Sequence, residues 1–457
     1  MKIKNIVKYL IVAFAAIIWG ACTSTEAEDK FDQTPTERLN TQKKELNDLI
    51  LSSEYGWKAV YYTDSTQLGG WTHLFKFLPD GKVDMASDYD EDTDIYRSQY
   101  EIQLGSAVSL VFTTANRIHL LSESDNYPTA ALVGKGHLGD FQFFYYGQEN
   151  GEIIFKTNRN FQELRFVKAT AKDWDDLAGN TVTIDHLSGG INTPLFKMLE
   201  INDGSAIHQY DFDYNIYSRF GVATPLDGTS TQSYNMALSF TPTSAIVKPA
   251  IDVKGQKLSD FVYDSVSDSF IASGTGGVSA AIKFTFQPSI VTNDFIRLLS
   301  PTANVIYGHD RSILTAAPTN SRLFIQLFRD IEAVLPAGTT LARVQPYFNT
   351  PTGSYIEYRL LSASGAVTRV YHFFTLTVDQ QTGIIYLNPI DSWKAGSTFA
   401  NAVAIAAPAF LKDMDDQLTN PDGLYFKRED FTVGAGNTVF TFTAVSSPFR
   451  MTTWAFQ

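Results

Sequence analysis

Between residues 57 and 168 the chain sets out a succession of short stretches rich in aromatic and β-branched residues, parted by Gly, Asp and Pro turns. They cover 57–63, 72–78, 82–87, 96–104, 107–113, 117–121, 140–146, 152–157 and 161–168. Such side chains fit a pleated, half-buried surface. A parallel crossover needs a dozen or more connecting residues, so these short connections leave only hairpins. The order predicts an antiparallel meander. A meander this large curls or closes on itself, which removes its open edges.

The flanks are different in kind. Thr34-Pro35-Thr36-Glu37 is a capping box with proline at the first helical position. Leu39, Leu46, Leu49 and Ile50 then form one apolar stripe, which predicts a helix over 35–54 before Gly56. After the meander, Thr170 to Asp173 opens a short helix with Trp174 and Leu177, stopped by Gly179. The main boundary falls there. Further strands are expected at 210–216, 234–240, 257–263, 280–286, 341–348, 354–361, 367–378, 383–387, 423–427, 437–444 and 449–456. Helices are expected over 321–335 and from Pro408 onward. The fold class is therefore mainly β. An N-terminal helix and a curled or barrel-like antiparallel meander occupy 34–169, and a second β-rich region with a few short helices occupies 170–457. A further division is signalled near 316–320 by Ala-Ala-Pro-Thr-Asn.

The first residues read as an address. Lys2, Lys4 and Lys8 precede an apolar run that is too short for a membrane span, as in a cleaved leader over 1–21. Gly20-Ala21 stands directly before Cys22, the 1 cysteine of the chain. That arrangement resembles a lipobox, which makes Cys22 the expected lipidation site, although Trp19 stands where leucine is usual. Two or three acyl chains would anchor the mature chain stably. Residues 22–33 then form an acidic tether carrying Glu26, Glu28 and Asp29, similar to the surface-export signal of Bacteroidota lipoproteins. The expected location is the outer membrane, lipid-anchored and exposed at the cell surface. The net charge of −13 becomes more negative once three lysines leave with the leader. Nucleic acid is excluded as a partner, because phosphate binding needs a basic footprint.

One series of motifs is familiar. It runs through Thr36-Glu37-Arg38-Leu39, Tyr55-Gly56-Trp57, Tyr61-Tyr62 and Gly69-Gly70-Trp71. Phe75-Lys76-Phe77, Asp80-Gly81-Lys82-Val83 and Met85-Ala86-Ser87-Asp88 complete it. The chain resembles an uncharacterised Bacteroidota lipoprotein family, the domain of unknown function DUF4302, over about residues 31–170 and more loosely to about 290. Its members are often encoded beside SusC/SusD-like outer-membrane uptake pairs. The resemblance implies a surface lipoprotein near an importer and transfers no catalytic residue.

Chemistry is sparse. A lone cysteine leaves no intramolecular disulfide and no Cys-based metal site. The histidines at 73, 119, 137, 186, 208, 309 and 372 show no HExxH and no close pair, and there is no GxSxG elbow or P-loop. Gly274 to Gly277 reads as a turn. Asp88, Asp90, Asp92 and Asp94 alternate in the manner of a Ca²⁺ loop, whose hard cation takes oxygen ligands. Thr93 stands where such a loop wants glycine, and Gln99 where it wants glutamate, so a solvated hairpin tip is the competing reading. Asp211, Asp213 and Asn215 share one face of a strand. Trp174, Trp393 and Trp454 could stack on sugars or pack in cores.

These readings converge on a non-catalytic, lipid-anchored binding or accessory protein of an outer-membrane nutrient uptake system. Its partners would be SusC/SusD-like transporter subunits and a glycan or peptide ligand. The rivals are a carboxylate-based secreted hydrolase, with its site in a cleft between domains, and a β-rich adhesive or structural surface protein.

Overall fold

The computed structural model describes residues 34–226, 228, 232–300 and 305–456, so the leader, Cys22 and the tether lie outside the described residues. Helix α1 (Pro35–Ile50) starts at the expected cap, where Thr34 and Glu37 exchange hydrogen bonds. It ends at Ile50 rather than near residue 54. Eight strands follow: β1 (Trp57–Tyr62), β2 (Gly70–Phe77), β3 (Lys82–Ser87), β4 (Tyr96–Leu104), β5 (Val108–Phe112), β6 (Gln142–Glu149), β7 (Glu152–Thr157) and β8 (Glu163–Lys168). They form an antiparallel meander closed into a barrel, with β1 paired to β8 at Trp57–Lys168 and Lys58–Val167. Aromatic rings of Trp57, Phe75, Phe112, Phe143, Phe155 and Phe166 fill its interior, joined by Leu46 and Ile50 of α1.

Residues 117–121 are not a strand. Asn116 caps a single 3₁₀ turn there, and Ile118 and Leu121 are buried. Their three-residue spacing matches the three-residue turn of that helix, which strand alternation cannot supply.

Two short helices, α2 (Ala171–Asp175) and α3 (Leu177–Ser188), connect to the next unit. Gly179 lies inside α3 instead of stopping it. A Cβ there would sit 2.7 Å from Pro242 Cβ, so its role is close approach to the second sheet. Leu177 packs outside the first barrel against Leu74 and Ala86, while Ile184 and Leu187 enter the next core. One helix thus serves two barrels.

The second barrel contains β9 (Phe196–Asp203), β10 (Ile207–Asn215), β11 (Phe220–Pro225), β12 (Tyr234–Phe240), β13 (Ser244–Val253), β14 (Gln256–Asp264), β15 (Ser269–Ser273) and β16 (Val278–Thr285). It is again a closed antiparallel meander, sealed by β16 against β9.

The third sheet comprises β17 (Val305–Asp310), β18 (Thr340–Thr350), β19 (Gly353–Leu361), β20 (Val367–Asp379), β21 (Ile384–Gly396), β22 (Val403–Ile405), β23 (Leu424–Arg428), β24 (Val439–Ala444) and β25 (Arg450–Phe456). Their order is β20-β19-β18-β17-β25-β24-β23-β21-β22, and an additional β20–β21 pairing bends the sheet into a ring with β22 outside it. Helices α4 (Arg322–Val334) and α5 (Lys412–Leu418) contribute Phe324, Phe328, Met414 and Leu418 to its core. The passage between the second and third sheets lies in 286–304, ahead of the Ala-Ala-Pro-Thr-Asn stretch.

Candidate functional site

The first two barrels meet edge to end, and the contact has little slack. Gly69 donates its N–H to the Ser218 carbonyl at 2.8 Å. A Cβ on Gly69 would lie 2.3 Å from the Leu238 carbonyl oxygen and 2.5 Å from Arg219 Cβ. Tyr62 donates its hydroxyl to Ser239 Oγ at 2.8 Å. From the second barrel, Arg219 reaches into the first. Its Nη1 donates to the Gly70 carbonyl at 3.0 Å and to Asp88 Oδ1 at 2.9 Å, and its Nη2 donates to the Asp88 carbonyl. Asp88 Oδ1 also accepts the Thr72 N–H at 2.9 Å, and Oδ2 accepts Asn180 Nδ2 from α3 at 2.8 Å. A buried charge pair is tolerable only when such partners replace water. Here every Asp88 oxygen is engaged.

A cleft of about 500 Å³ opens beside this pair, lined among others by Tyr89, Tyr127, His137, Asp185 and Tyr217. Asn215 builds one wall. Its Oδ1 accepts the N–H groups of Tyr217 and Ser218 at 2.9 and 3.1 Å, fixing a turn whose tip leaves Tyr217 73% exposed. Tyr127, on the facing loop, is 46% exposed. The floor is aromatic. Trp71 and Tyr89 meet the His137 ring edge-on, with centroids 5.0 and 5.4 Å away. Asn126 fixes Tyr89 by donating to its hydroxyl.

His137 is 4% exposed and lies with Nε2 3.2 Å from the Tyr217 carbonyl, while its Nδ1 has no partner among the described residues. Burial lowers its pKa below 6.5, so the ring is neutral near pH 7. A carbonyl only accepts, so Nε2 carries the proton, while Nδ1 is buried away from the open cleft with the Asn126 backbone nearby. With the carboxylates of Glu91 and Asp185 also on the lining, the cleft presents rings and acceptors to whatever enters.

The structure separates the four aspartates expected to hold Ca²⁺. Asp88 is consumed by Arg219 and Asn180. Asp90 pairs with Arg117, and Asp92 accepts from Tyr96 at 2.7 Å with Arg117 Nη1 at 3.6 Å. Asp94 is exposed, its N–H bonded to Asp92 Oδ1. Among the described residues no group of three His, Cys, Asp or Glu is placed to hold a metal ion. The Arg117 guanidinium already neutralises the carboxylates a cation would need.

Asp211 and Asp213 line a different cleft, between the second barrel and the third sheet. The tryptophans singled out earlier are structural. Trp174 donates to the Tyr55 carbonyl at 2.8 Å, Trp454 donates to the Val433 carbonyl at 3.0 Å, and Trp393 stacks on His372 at 4.0 Å. Nothing in the local sequence sets Tyr89, Tyr127 and Tyr217 apart as one group. The one local signal was the Asn215-Ile216-Tyr217-Ser218 turn, where an Asx residue lifts an aromatic ring out of a strand end.

A family model described as Domain of unknown function (DUF4302) matches residues 27–265, which include both walls of the aromatic cleft. No curated protein matches the chain. Among the described residues no helix is long and apolar enough to cross a membrane.

Proposed function

The chain belongs to the DUF4302 family, whose description assigns no activity, and we propose that it is a lipid-anchored surface protein that binds carbohydrate non-catalytically between its first two barrels. In this reading Cys22 carries the lipid, the acidic tether leads the protein to the face of a Bacteroidota outer membrane, and SusC/SusD-like transporter subunits receive the ligand.

The observation that carries the ligand class is the joint presence of Tyr127 and Tyr217 rings with unpaired acceptors in one cleft. Sugars offer apolar ring faces for stacking and a surplus of hydroxyl donors for the carboxylates of Glu91 and Asp185. The cations nearby are already neutralised: Arg219 by Asp88, and Arg117 by Asp90 and Asp92. The remaining charge is negative, which disfavours acidic ligands at this place.

Calorimetric titration of the lipid-free chain with a panel of neutral oligosaccharides tests this reading. Saturable binding to at least one of them is expected, and Tyr217→Ala should weaken it about tenfold, or ~1.4 kcal/mol. Tyr217 is exposed, so the melting temperature of that variant should not move. Failure of every neutral oligosaccharide to bind overturns the carbohydrate reading. Pull-down from native outer membranes without a transporter subunit overturns the uptake role.

A further inference from the structure

The larger cleft, about 870 Å³, lies between the second barrel and the third sheet. Its walls carry Lys197, Arg322 and Arg450, which have no ion-pair partner within 4.0 Å among the described residues. Lys197, on β9 at the barrel mouth, has Nζ 3.5 Å from the Ser188 carbonyl and 5.4 Å from the Phe284 ring centroid. Arg450, on β25, donates Nε to the Thr319 carbonyl at 2.6 Å, which leaves both Nη groups without a protein acceptor among the described residues. Arg322 opens α4, where Ser321 is the N-cap, so its charge stands at the positive end of a 13-residue helix.

These groups sense one another. Burial, with Arg450 and Arg322 nearby, brings the Lys197 ammonium down to about 8, against the opposing pull of Asp213. Clustering cations without counter-ions at a partly desolvated surface is unfavourable unless an anion joins them. The carboxylates of the cleft, Asp211, Asp213, Glu429 and Asp430, act on these cations only from a distance: among the described residues none lies within 4.0 Å of Lys197, Arg322 or Arg450 in an ion pair. Glu429 is taken by Lys427 at 3.1 Å and by the Thr441 hydroxyl at 2.8 Å. Asp211 and Asp213, also on the lining, form no ion pair within 4.0 Å among the described residues, and remain acceptors for hydroxyl donors.

We propose that this second cleft binds an acidic sugar, its carboxylate or sulfate seated among Lys197, Arg322 and Arg450 and its hydroxyls donating to Asp211 and Asp213. The Arg forks match a planar carboxylate or a sulfate edge, and Lys197 adds a point charge. The site is separate from the aromatic cleft, in which acidic ligands are disfavoured.

The test compares glucuronate and glucose 6-sulfate with glucose by calorimetry on the full lipid-free chain. At least one acidic sugar should bind about tenfold or more tightly than glucose, and the two arms identify which oxyanion is used. Lys197→Met, which keeps the stem on Phe284, and Arg322→Gln, at an exposed position, should each reduce that preference about fivefold or more without altering the melting temperature. The preference should also decline as pH rises through about 8, where Lys197 loses its charge. Tyr217→Ala, remote from this cleft, should leave the affinity for the acidic sugar itself unchanged, whatever it does to glucose, which keeps this result independent of the neutral-glycan reading. Equal affinity for acidic and neutral sugars, no binding of either acid, or an unaltered preference in both variants overturns the proposal.

Discussion

Asp88 and Arg219 join the first two barrels through an ion pair at 2.9 Å in which the side chains are 0% and 3% exposed. No water competes there, and Asn180 of the connecting helix binds the same carboxylate. The relative placement of the barrels, and so the width of the aromatic cleft, depends on this contact.

Removing one partner leaves the other buried and uncompensated. Arg219→Met is expected to destabilise the chain by about 3–5 kcal/mol, and Asp88→Asn by a similar amount. The double variant should lose less than the sum of the two. Urea unfolding measures all three, and strict additivity would show that the pair is not coupled.

Gly69 leaves no room for a methyl group against Leu238 and Arg219. Gly69→Ala is expected to destabilise by about 1–3 kcal/mol, through displacement of backbone across the junction. It should also weaken oligosaccharide binding. Gly105→Ala, which meets only a carbonyl 3.8 Å away, is the matched control and should be nearly neutral.

Acid should unfold the protein partly through two histidines. His73 is 0% exposed with neither ring nitrogen hydrogen-bonded among the described residues, and burial holds it down to about 3. His309 is held to about 4 by the same cause. Both are neutral in the fold, so below pH 6.5 the unfolded chain takes up protons that the folded chain refuses. Stability is complete above 6.5 and declines as pH falls from there toward 4 for His309 and toward 3 for His73. Each contributes a slope of about 1.4 kcal/mol per pH unit. Denaturant midpoints between about pH 7 and pH 5 should show it, and His73→Leu should flatten the slope; identical slopes would rule out His73 as a contributor.

Lipidation is tested at its source. Cys22→Ser should move the protein from the membrane to the soluble fraction and abolish labelling by a radioactive fatty acid. Each buried CH₂ contributes ~0.8 kcal/mol, so losing the acyl chains is enough to release it. Persistence at the membrane would point to another anchor.

Much of the first barrel was legible from pattern and spacing. Thr34 and Glu37 announced the first helix, and alternation placed strands such as Tyr96–Leu104 where they are found. That the meander curls or closes was legible from its strand count, but the register of the seam was not, because it rests on Trp57–Lys168 and Lys58–Val167, pairings between distant segments with no local signature. In the second barrel, strands such as Ser244–Val253 escaped notice. That strand mixes exposed Lys248 and Pro249 into its apolar run and slips register between Ile246 and Ile251, which breaks the alternation. The cleft was illegible for a related reason. Tyr89 and the pair Tyr127 and His137 come from two connections of the first barrel, and only the docking of the second barrel adds Tyr217. The aspartate run was conspicuous in sequence because its members are adjacent, yet Arg117 and Arg219 had already claimed three of them.

The strand order of the third sheet also has a temporal meaning. Each of the first two rings is sealed by strands that bound one contiguous segment, so each can finish while later residues are still being made. The third ring seats β17 beside β25, the first and last strands of the final ring, so its seam depends on the most C-terminal strand described. Its seam stays open until β25 has been made. A ribosome that stops short of β25 releases two finished rings and one unsealed ring with a bare apolar interior, a product fit for capture by a chaperone or a protease.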